Sequence, residues 1–335
     1  MDNLAGKVSM SKWYVGVDVG KDELVAAVAG QRPRTFANTV AGSKALYRWA
    51  KATAMGQSVH VCLEATGVYG YRAAMTLVSC PQTEVSVVNP AQIAAFAKAQ
   101  LRRSKTDAID AQVILAFAQS QQPHSWQPPS DLSRQLYALV TEYDALAESK
   151  RRLANRDHSH EYIPDLPREV TRAQKNLARC LERQIARLEE AILRLCDRTP
   201  ELKAQVALLC TIPGVKATTA VHLLAYGKDT FLTHSRKALT AHAGLAPQHR
   251  QSGSSLRGKS RLAKQGDKRL RNTLYMPAVC GIVHNPILKP FYLRLLANGK
   301  TKMAALAACM RKLLLIIQAI LKHHTPFNPE IIPLT

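Results

Sequence analysis

Apolar positions in the first 120 residues alternate between two periods. Residues 13–18 and 23–29 are β-rich runs separated by Val19-Gly20-Lys21-Asp22, a turn-forming stretch. A helical pattern covers 43–55. A buried-strand run at 59–63 ends at Glu64, and another at 84–88 is stopped by Asn89-Pro90. Helical patterns follow at 91–101 and 106–120. Strands alternating with helices predict a sheet covered by helices.

The Pro/Gln/Ser-rich stretch 121–130 breaks this pattern and is the expected domain boundary. Beyond it Leu132, Leu136, Leu139, Tyr143 and Leu146 keep helical spacing. A second long helix is predicted over 168–197. Its apolar positions Leu177, Leu181, Ile185, Leu188, Ile192 and Leu195 advance by 4, 4, 3, 4 and 3 residues, a heptad-like seam. Pro164 and Pro167 lie between the two helices, so an antiparallel coiled-coil hairpin is expected. Its seam suits either packing on the rest of the chain or a dimer. The last third reads as helical and basic, punctuated by glycine. The expected division is an α/β domain over 1–130, a helical hairpin over 131–200 and a mainly helical domain over 201–335.

Composition narrows the function classes. A hydrophobic fraction of 47% fits a folded globular chain rather than a disordered one. The formal net charge is +22, and residues 201–335 hold 20 Lys/Arg against 4 Asp/Glu. A polyanionic partner is therefore the first expectation. The apolar run 313–317 is broken by Gln318 and ends at Lys322, which predicts a buried helix rather than a membrane span. No basic-then-apolar leader pattern opens the chain, so a cytoplasmic setting is expected. The seven cysteines are scattered, with neither a C-x-x-C pair nor zinc-ligand spacing. Mostly buried free thiols are expected, and no disulfide framework.

Four carboxylates occupy positions suited to one pocket. Asp18 and Glu64 end apolar strands, and Asp107 and Asp110 share one face of a predicted helix. Strand ends and a helix face can converge in a covered sheet. Four acids there would repel one another unless cations neutralised them, and Mg²⁺ held by carboxylate oxygens can bind a phosphodiester. Each acid also has an ordinary structural explanation, as a turn former, a solvent-facing strand end or a helix N-terminal charge.

Two further segments point to nucleic acid. Residues 211–220, Thr-Ile-Pro-Gly-Val-Lys-Ala-Thr-Thr-Ala, have the form of a helix–hairpin–helix, which grips a phosphate backbone at a helix N-terminus; a plain packing joint fits equally well. Lys216 belongs to this hairpin. Downstream lie eight basic residues, Arg250, Arg257, Lys259, Arg261, Lys264, Lys268, Arg269 and Arg271, with Asp267 as the one acid among them. They are candidate phosphate contacts, as is Lys105 beside the Asp107 motif. Gly253, Gly258 and Gly266 suit a loop that approaches a backbone closely. The Ser252-Gly253-Ser254-Ser255 stretch in this segment has the composition of a turn.

Words around the four acids carry a resemblance. Tyr14-Val15-Gly16-Val17-Asp18-Val19-Gly20-Lys21, Glu64-Ala65-Thr66-Gly67-Val68-Tyr69, Asn89-Pro90 and Arg103-Ser104-Lys105-Thr106-Asp107-Ala108-Ile109-Asp110-Ala111 occur in that order. Gly244-Leu245-Ala246-Pro247, Ser252-Gly253 and the basic run follow. The chain closely resembles the DEDD insertion-sequence transposases. That resemblance implies a RuvC-like, ribonuclease-H-like N-terminal domain with Asp18, Glu64, Asp107 and Asp110 as metal ligands, and a C-terminal domain with Ser252 as nucleophile. Ser254 and Ser255 are close alternatives. His249 is near but has no supporting partner. The family further implies a covalent phosphoserine intermediate, double-stranded donor and target DNA, a non-coding guide RNA and a homo-oligomer, dimer or tetramer. Serine and carboxylates, far apart in sequence, are then expected to form a composite site. Two other functions compete: a Holliday-junction-type nuclease using metal and water alone, and a non-enzymatic nucleic-acid-binding protein.

Overall fold

The computed structural model describes residues 12–65, 67–100, 106–248, 251–252, 256–257, 261–263 and 265–330, with backbone alone for Gln248, Gln251, Ser252, Leu256, Arg257 and Arg261. The chain forms two compact units that meet in sequence between Pro128 and Pro129.

The first unit runs β1 (Lys12–Val19), β2 (Glu23–Val28), β3 (Arg34–Ala37), α1 (Val40–Thr53), β4 (Ser58–Glu64), α2 (Tyr69–Val78), β5 (Thr83–Val88), α3 (Pro90–Ala99) and α4 (Asp107–Gln121). The five strands make one sheet in the order β3-β2-β1-β4-β5. β1, β2 and β3 pair antiparallel, whereas β1, β4 and β5 pair parallel. Side chains alternate across a strand. Val15, Val17, Val61 and Leu63 accordingly pack on one side against Leu46 and Ala50 of α1 and Ala73 and Leu77 of α2. On the other side Tyr14 and Cys62 pack under Ile93 of α3 and Val113, Ile114 and Phe117 of α4.

Local chemistry sets the helix starts. Thr39 caps α1 by accepting from Gly42 N at 3.0 Å, and Asn89 caps α3 by accepting from Ala91 N at 2.9 Å, with Pro90 in the first helical turn. The Asn89-Pro90 word is thus a helix start. Neither β3 nor α2 was anticipated: of the four residues of β3 only Phe36 is buried, which leaves little periodicity to read. The Pro-rich stretch is also more ordered than a linker. Trp126 N donates to Val85 O at 2.6 Å, and Ser86 Oγ bonds to Pro123 O and His124 O, so the strap lies along β5.

The second unit opens with a helical hairpin, α5 (Asp131–His160) and α6 (Arg168–Arg198). It continues through α7 (Pro200–Cys210), α8 (Ala217–Gly227), α9 (Thr230–Thr233), α10 (Arg236–His242), β6 (Pro247–Gln248), β7 (Gln251–Ser252), β8 (Leu256–Arg257), β9 (Arg261–Leu262), α11 (Lys268–Thr273), α12 (Tyr275–His284), α13 (Leu288–Ala297) and α14 (Lys302–His323). Leu181 and Ile192 of the expected seam are buried, but Leu177 is 46% exposed. α14 is long and apolar enough to cross a membrane by length and composition, and most of it is buried in the core of this unit. All seven cysteines are free. Only Cys62 and Cys309 are buried, fewer than expected, because Cys210 and Cys280 fall on outward faces of their helices.

The basic segment expected as a glycine-rich loop contains two short nested ladders. β6 pairs antiparallel with β9, and inside it β7 pairs with β8, placing Ser252 opposite Leu256. The two stems are tied where Ala263 N donates to Ala246 O at 3.0 Å and Asp267 N to His242 O at 2.6 Å.

Candidate active site

The sheet register brings the first two acids together. Val17 stands beside Leu63 across the parallel β1–β4 ladder. Asp18 and Glu64 are the next residues, at the carboxyl ends of adjacent strands. Both share the face of Tyr14, Gly16, His60 and Cys62, the face that α4 covers. Asp107 and Asp110 occupy the first turn of α4, whose N-cap Thr106 accepts from Ile109 N. Acids there also complement the helix dipole.

Gly16 is what lets α4 come so close. A Cβ at this position would lie 2.2 Å from Leu115 N and 2.4 Å from Ala111 O, so the helix backbone rests directly on β1. Ala111 follows Asp110 immediately. The same contact therefore fixes the height of both helix acids above the strand that carries Asp18.

Electrostatics link the four acids. Asp18 is pushed up to about 6, first by burial, then by the negative charges of Asp110 and Asp107, and to a smaller extent by Glu64; a hydrogen bond with the Val19 backbone acts in the opposite sense. Burial and the neighbouring negative charges thus disfavour the ionised form of Asp18. The donor set is all carboxylate oxygen, which suits a hard divalent cation. Among the described residues, however, no three His, Cys, Asp or Glu side chains are placed to share one ion. The acids lie within electrostatic reach of one another but are spread wider than a ligand shell.

A residue with no sequence signal steadies the loop after Asp18. Asn38 is 7% exposed, and its Nδ2 donates to Gly20 O at 2.9 Å, to Lys21 O at 3.4 Å and to Tyr69 O at 3.2 Å. It ties the β1–β2 turn to the start of α2.

In the second unit Gly214 takes φ +97° between α7 and α8, and a Cβ there would lie 3.0 Å from Pro277 O of α12. Ile212 and Val215 are buried while Lys216 is exposed at the head of α8. The hairpin therefore packs with one side and leaves the helix start open. Lys268 is exposed, but two other basic candidates have partners within the unit. Arg269 donates through Nη1 to Tyr137 Oη and Thr141 Oγ1, both at 3.1 Å, and its guanidinium also lies over the Tyr137 and Tyr226 rings. Arg271 donates to Ala243 O at 3.2 Å. Ser252, Arg257 and Arg261 are placed by backbone only, on β7, β8 and β9. Lys105, His249, Arg250, Ser254, Ser255, Lys259 and Lys264 lie outside the described residues.

Beside Arg269 sits a polar cluster that sequence spacing did not reveal. His222 Nε2 lies 3.0 Å from Asp144 Oδ1 and its Nδ1 lies 2.7 Å from Thr218 O, so both ring nitrogens face acceptors. Tyr226 Oη donates to the other oxygen of Asp144. Burial opposes charge on His222, but the hydrogen bonds and Asp144 outweigh it and raise its pKa. A group with a raised folded pKa stabilises the fold below its unfolded value near 6.5 and loses that contribution as pH rises through the folded value. Thermal melts at pH 6 and pH 8 are thus expected to differ more in the wild type than in His222→Gln, by on the order of 1–3 kcal/mol, the range for hydrogen bonds to charged groups. Equal pH responses would show that His222 is neutral.

Comparison with known proteins covers nearly the whole chain. The family model for DEDD transposases of the IS110 group, described as "Transposase", matches residues 15–160, and the one described as "Transposase IS116/IS110/IS902 family" matches residues 206–293. The chain is 35% identical over 327 residues to a pilin gene-inverting protein of Moraxella bovis, covering 96% of this chain and 99% of that protein. A pilin gene-inverting protein of Moraxella lacunata matches to the same extent. The insertion element IS110 uncharacterized 43.6 kDa protein of Streptomyces coelicolor is 28% identical over 163 residues, 49% of this chain and 37% of that protein. All four acids fall within the first matched region and Ser252 within the second, and with a relative aligned almost end to end the chain belongs to the IS116/IS110/IS902 transposase family and is a DNA recombinase.

Proposed function

We propose that this recombinase cleaves and exchanges DNA strands through a phosphoserine intermediate formed at Ser252, with Mg²⁺ held by Asp18, Glu64, Asp107 and Asp110. The observation that supports the metal site is the electrostatic coupling of Asp18 to the other three acids, and the role of Ser252 rests on the family resemblance. Carboxylates whose charges raise the pKa of Asp18 are costly to gather unless a cation is part of the working enzyme. The strand order, three antiparallel strands followed by two parallel ones, supports a RuvC-like, ribonuclease-H-like class for the first unit.

In the proposed step the Ser252 hydroxyl oxygen bonds to phosphorus as the P–O3′ bond breaks. The 3′ oxygen takes up a proton and leaves as a hydroxyl, and the energy of the broken bond is kept in the serine ester for rejoining. A bound divalent cation would supply the charge that stabilises the phosphate oxygens as that bond breaks. Asp18 and Glu64 would hold it from the sheet, and Asp107 and Asp110 from the helix. Inversion of a DNA segment, which the Moraxella relatives' name describes, is strand exchange of this kind. Double-stranded donor and target DNA are the substrates proposed here, brought together by a homo-oligomer. Guidance by a non-coding RNA is part of the proposal and rests on the resemblance alone.

The test combines the full chain, Mg²⁺, candidate DNA ends and RNA transcribed from the flanks of the gene. The wild type should yield a covalent protein–DNA adduct whose peptide maps to Ser252. Ser252→Ala should lower strand exchange by at least about 10³-fold and remove the adduct, as expected when a covalent nucleophile is deleted. Full cleavage by Ser252→Ala would instead establish a resolvase-like hydrolysis by water. Equal activity with and without the RNA would remove guidance from the scheme.

A further inference from the structure

The helical hairpin carries a charged surface that none of the family motifs covers. Arg168, Arg172, Lys175, Arg179 and Arg183 of α6 advance by 4, 3, 4 and 4 residues, and all five are exposed. At about 100° per residue they fall within an arc of roughly 80° on one side of the helix. Leu181 and Ile192, which face α5, lie on the opposite side. None of the five cations has an ion-pair partner among the described residues, although neighbouring charges on the hairpin do pair: Lys150 with Glu182, Arg194 with Glu190, and Arg151 and Arg152 with Glu148. Arg168, Arg172, Lys175 and Arg179 also line an open groove together with Thr171 and Asn176, which add polar contacts between the charges.

We propose that this stripe on α6 is a second DNA-binding surface, which holds the phosphate backbone of a duplex outside the reacting site. The occupant follows from charge and shape. A row of five unpaired cations, ~23 Å long at 1.5 Å per residue, matches about seven phosphate steps of one strand at 3.4 Å each. No aromatic residue lies between positions 168 and 187, so the stripe lacks the stacking platforms that single strands require. The side chains are long and flexible, the kind that position a backbone without reading bases. The proposal rests on the chain being a DNA recombinase and is independent of whether Ser252 is the nucleophile.

The test compares two variants of equal charge change in the full chain. R172Q/R179Q removes two cations from the stripe, and R151Q/R152Q removes two that Glu148 already holds. With a 30-base-pair DNA duplex of arbitrary sequence, R172Q/R179Q should weaken binding roughly tenfold at 0.15 M salt. It should also reduce the slope of log affinity against log salt by about 2, one for each phosphate no longer neutralised. R151Q/R152Q should change affinity less than twofold. Equal weakening by both pairs would reduce the effect to net charge and overturn the proposal, as would an unchanged slope in R172Q/R179Q. A measurement on the wild type keeps the test open should a variant fold poorly: acetylation of Lys175 should slow when the DNA duplex is added, and no slowing counts against the surface. An RNA duplex of the same length forms the second arm, and a loss confined to RNA would overturn the assignment to DNA.

Discussion

Asp18→Asn is expected to give a protein that is more stable than the wild type and has lost strand cleavage. Both effects arise from the same charge. The carboxyl of Asp18 is pushed up to about 6 from 3.8 by burial and by Asp110, Asp107 and Glu64. A carboxylate whose folded pKa is raised costs stability as pH climbs from the unfolded value to the folded one, and the full cost applies above about pH 6. A shift of about two units corresponds to ~3 kcal/mol at 1.36 kcal/mol per unit, and solvent screening of a half-exposed group reduces it to on the order of 1–2 kcal/mol. Asparagine keeps the shape without the charge, so the free energy of urea unfolding at pH 7.5 should rise by that amount. At pH 4.5, where Asp18 is largely protonated, the two proteins should differ little. Removing one acid from the set proposed to hold Mg²⁺ should lower cleavage by at least about 10³-fold, the scale of losing one group that stabilises transition-state charge. A variant that is stabilised yet fully active would separate the acids from the chemistry.

Gly16→Ala should damage both the fold and the site. The added methyl would sit 2.2–2.4 Å from backbone atoms of Leu115 and Ala111, neither of which can rotate aside as a side-chain tip can. Helix α4 must lift from β1, opening the layer of Val113, Ile114 and Phe117 over Cys62. Overpacking a well-filled core costs about 1–3 kcal/mol, and backbone contact on both sides puts this case near the upper end. The displacement should matter more than the stability. Asp107 and Asp110 ride on α4, so cleavage measured well below the melting temperature should fall about 10²-fold or more, as expected of a displacement near 1 Å at a catalytic group. An alanine accepted with less than ~0.5 kcal/mol and normal activity would mean that the helix is not seated on the strand.

Strong periodicity made most of the first unit legible. The runs at 13–18, 59–63 and 84–88 are legible as strands because they are short apolar runs, and in 59–63 every residue is buried between helices on both faces of the sheet. What stayed hidden is short or arises at a distance. β3 has one buried residue in four, and the two-residue strands of the Ser252 hairpin exist only as pairs, so neither leaves a period to detect. The acids could be gathered from strand ends and helix spacing, but the reason they meet could not. It lies in Gly16, which reads as an ordinary strand glycine until Leu115 and Ala111 are set against it; Asn38, whose three carbonyl partners come from the β1–β2 turn and the start of α2, is equally silent in the sequence. Arg269 makes the converse point: it counts as one more charge in a basic run, yet its guanidinium is held by Tyr137 and Thr141.

Arg269 also has a mechanical consequence. Helix α5 extends ~24 Å beyond Asp144 to its end at His160, at 1.5 Å per residue. At its base Tyr137 and Thr141 grip Arg269 of α11, and Asp144 grips His222 and Tyr226 of α8. α11 follows the β6–β9 pair, inside which the pair bearing Ser252 is nested in sequence. The base of the hairpin is thus fastened at two points, to α11 through Arg269 and to α8 through Asp144.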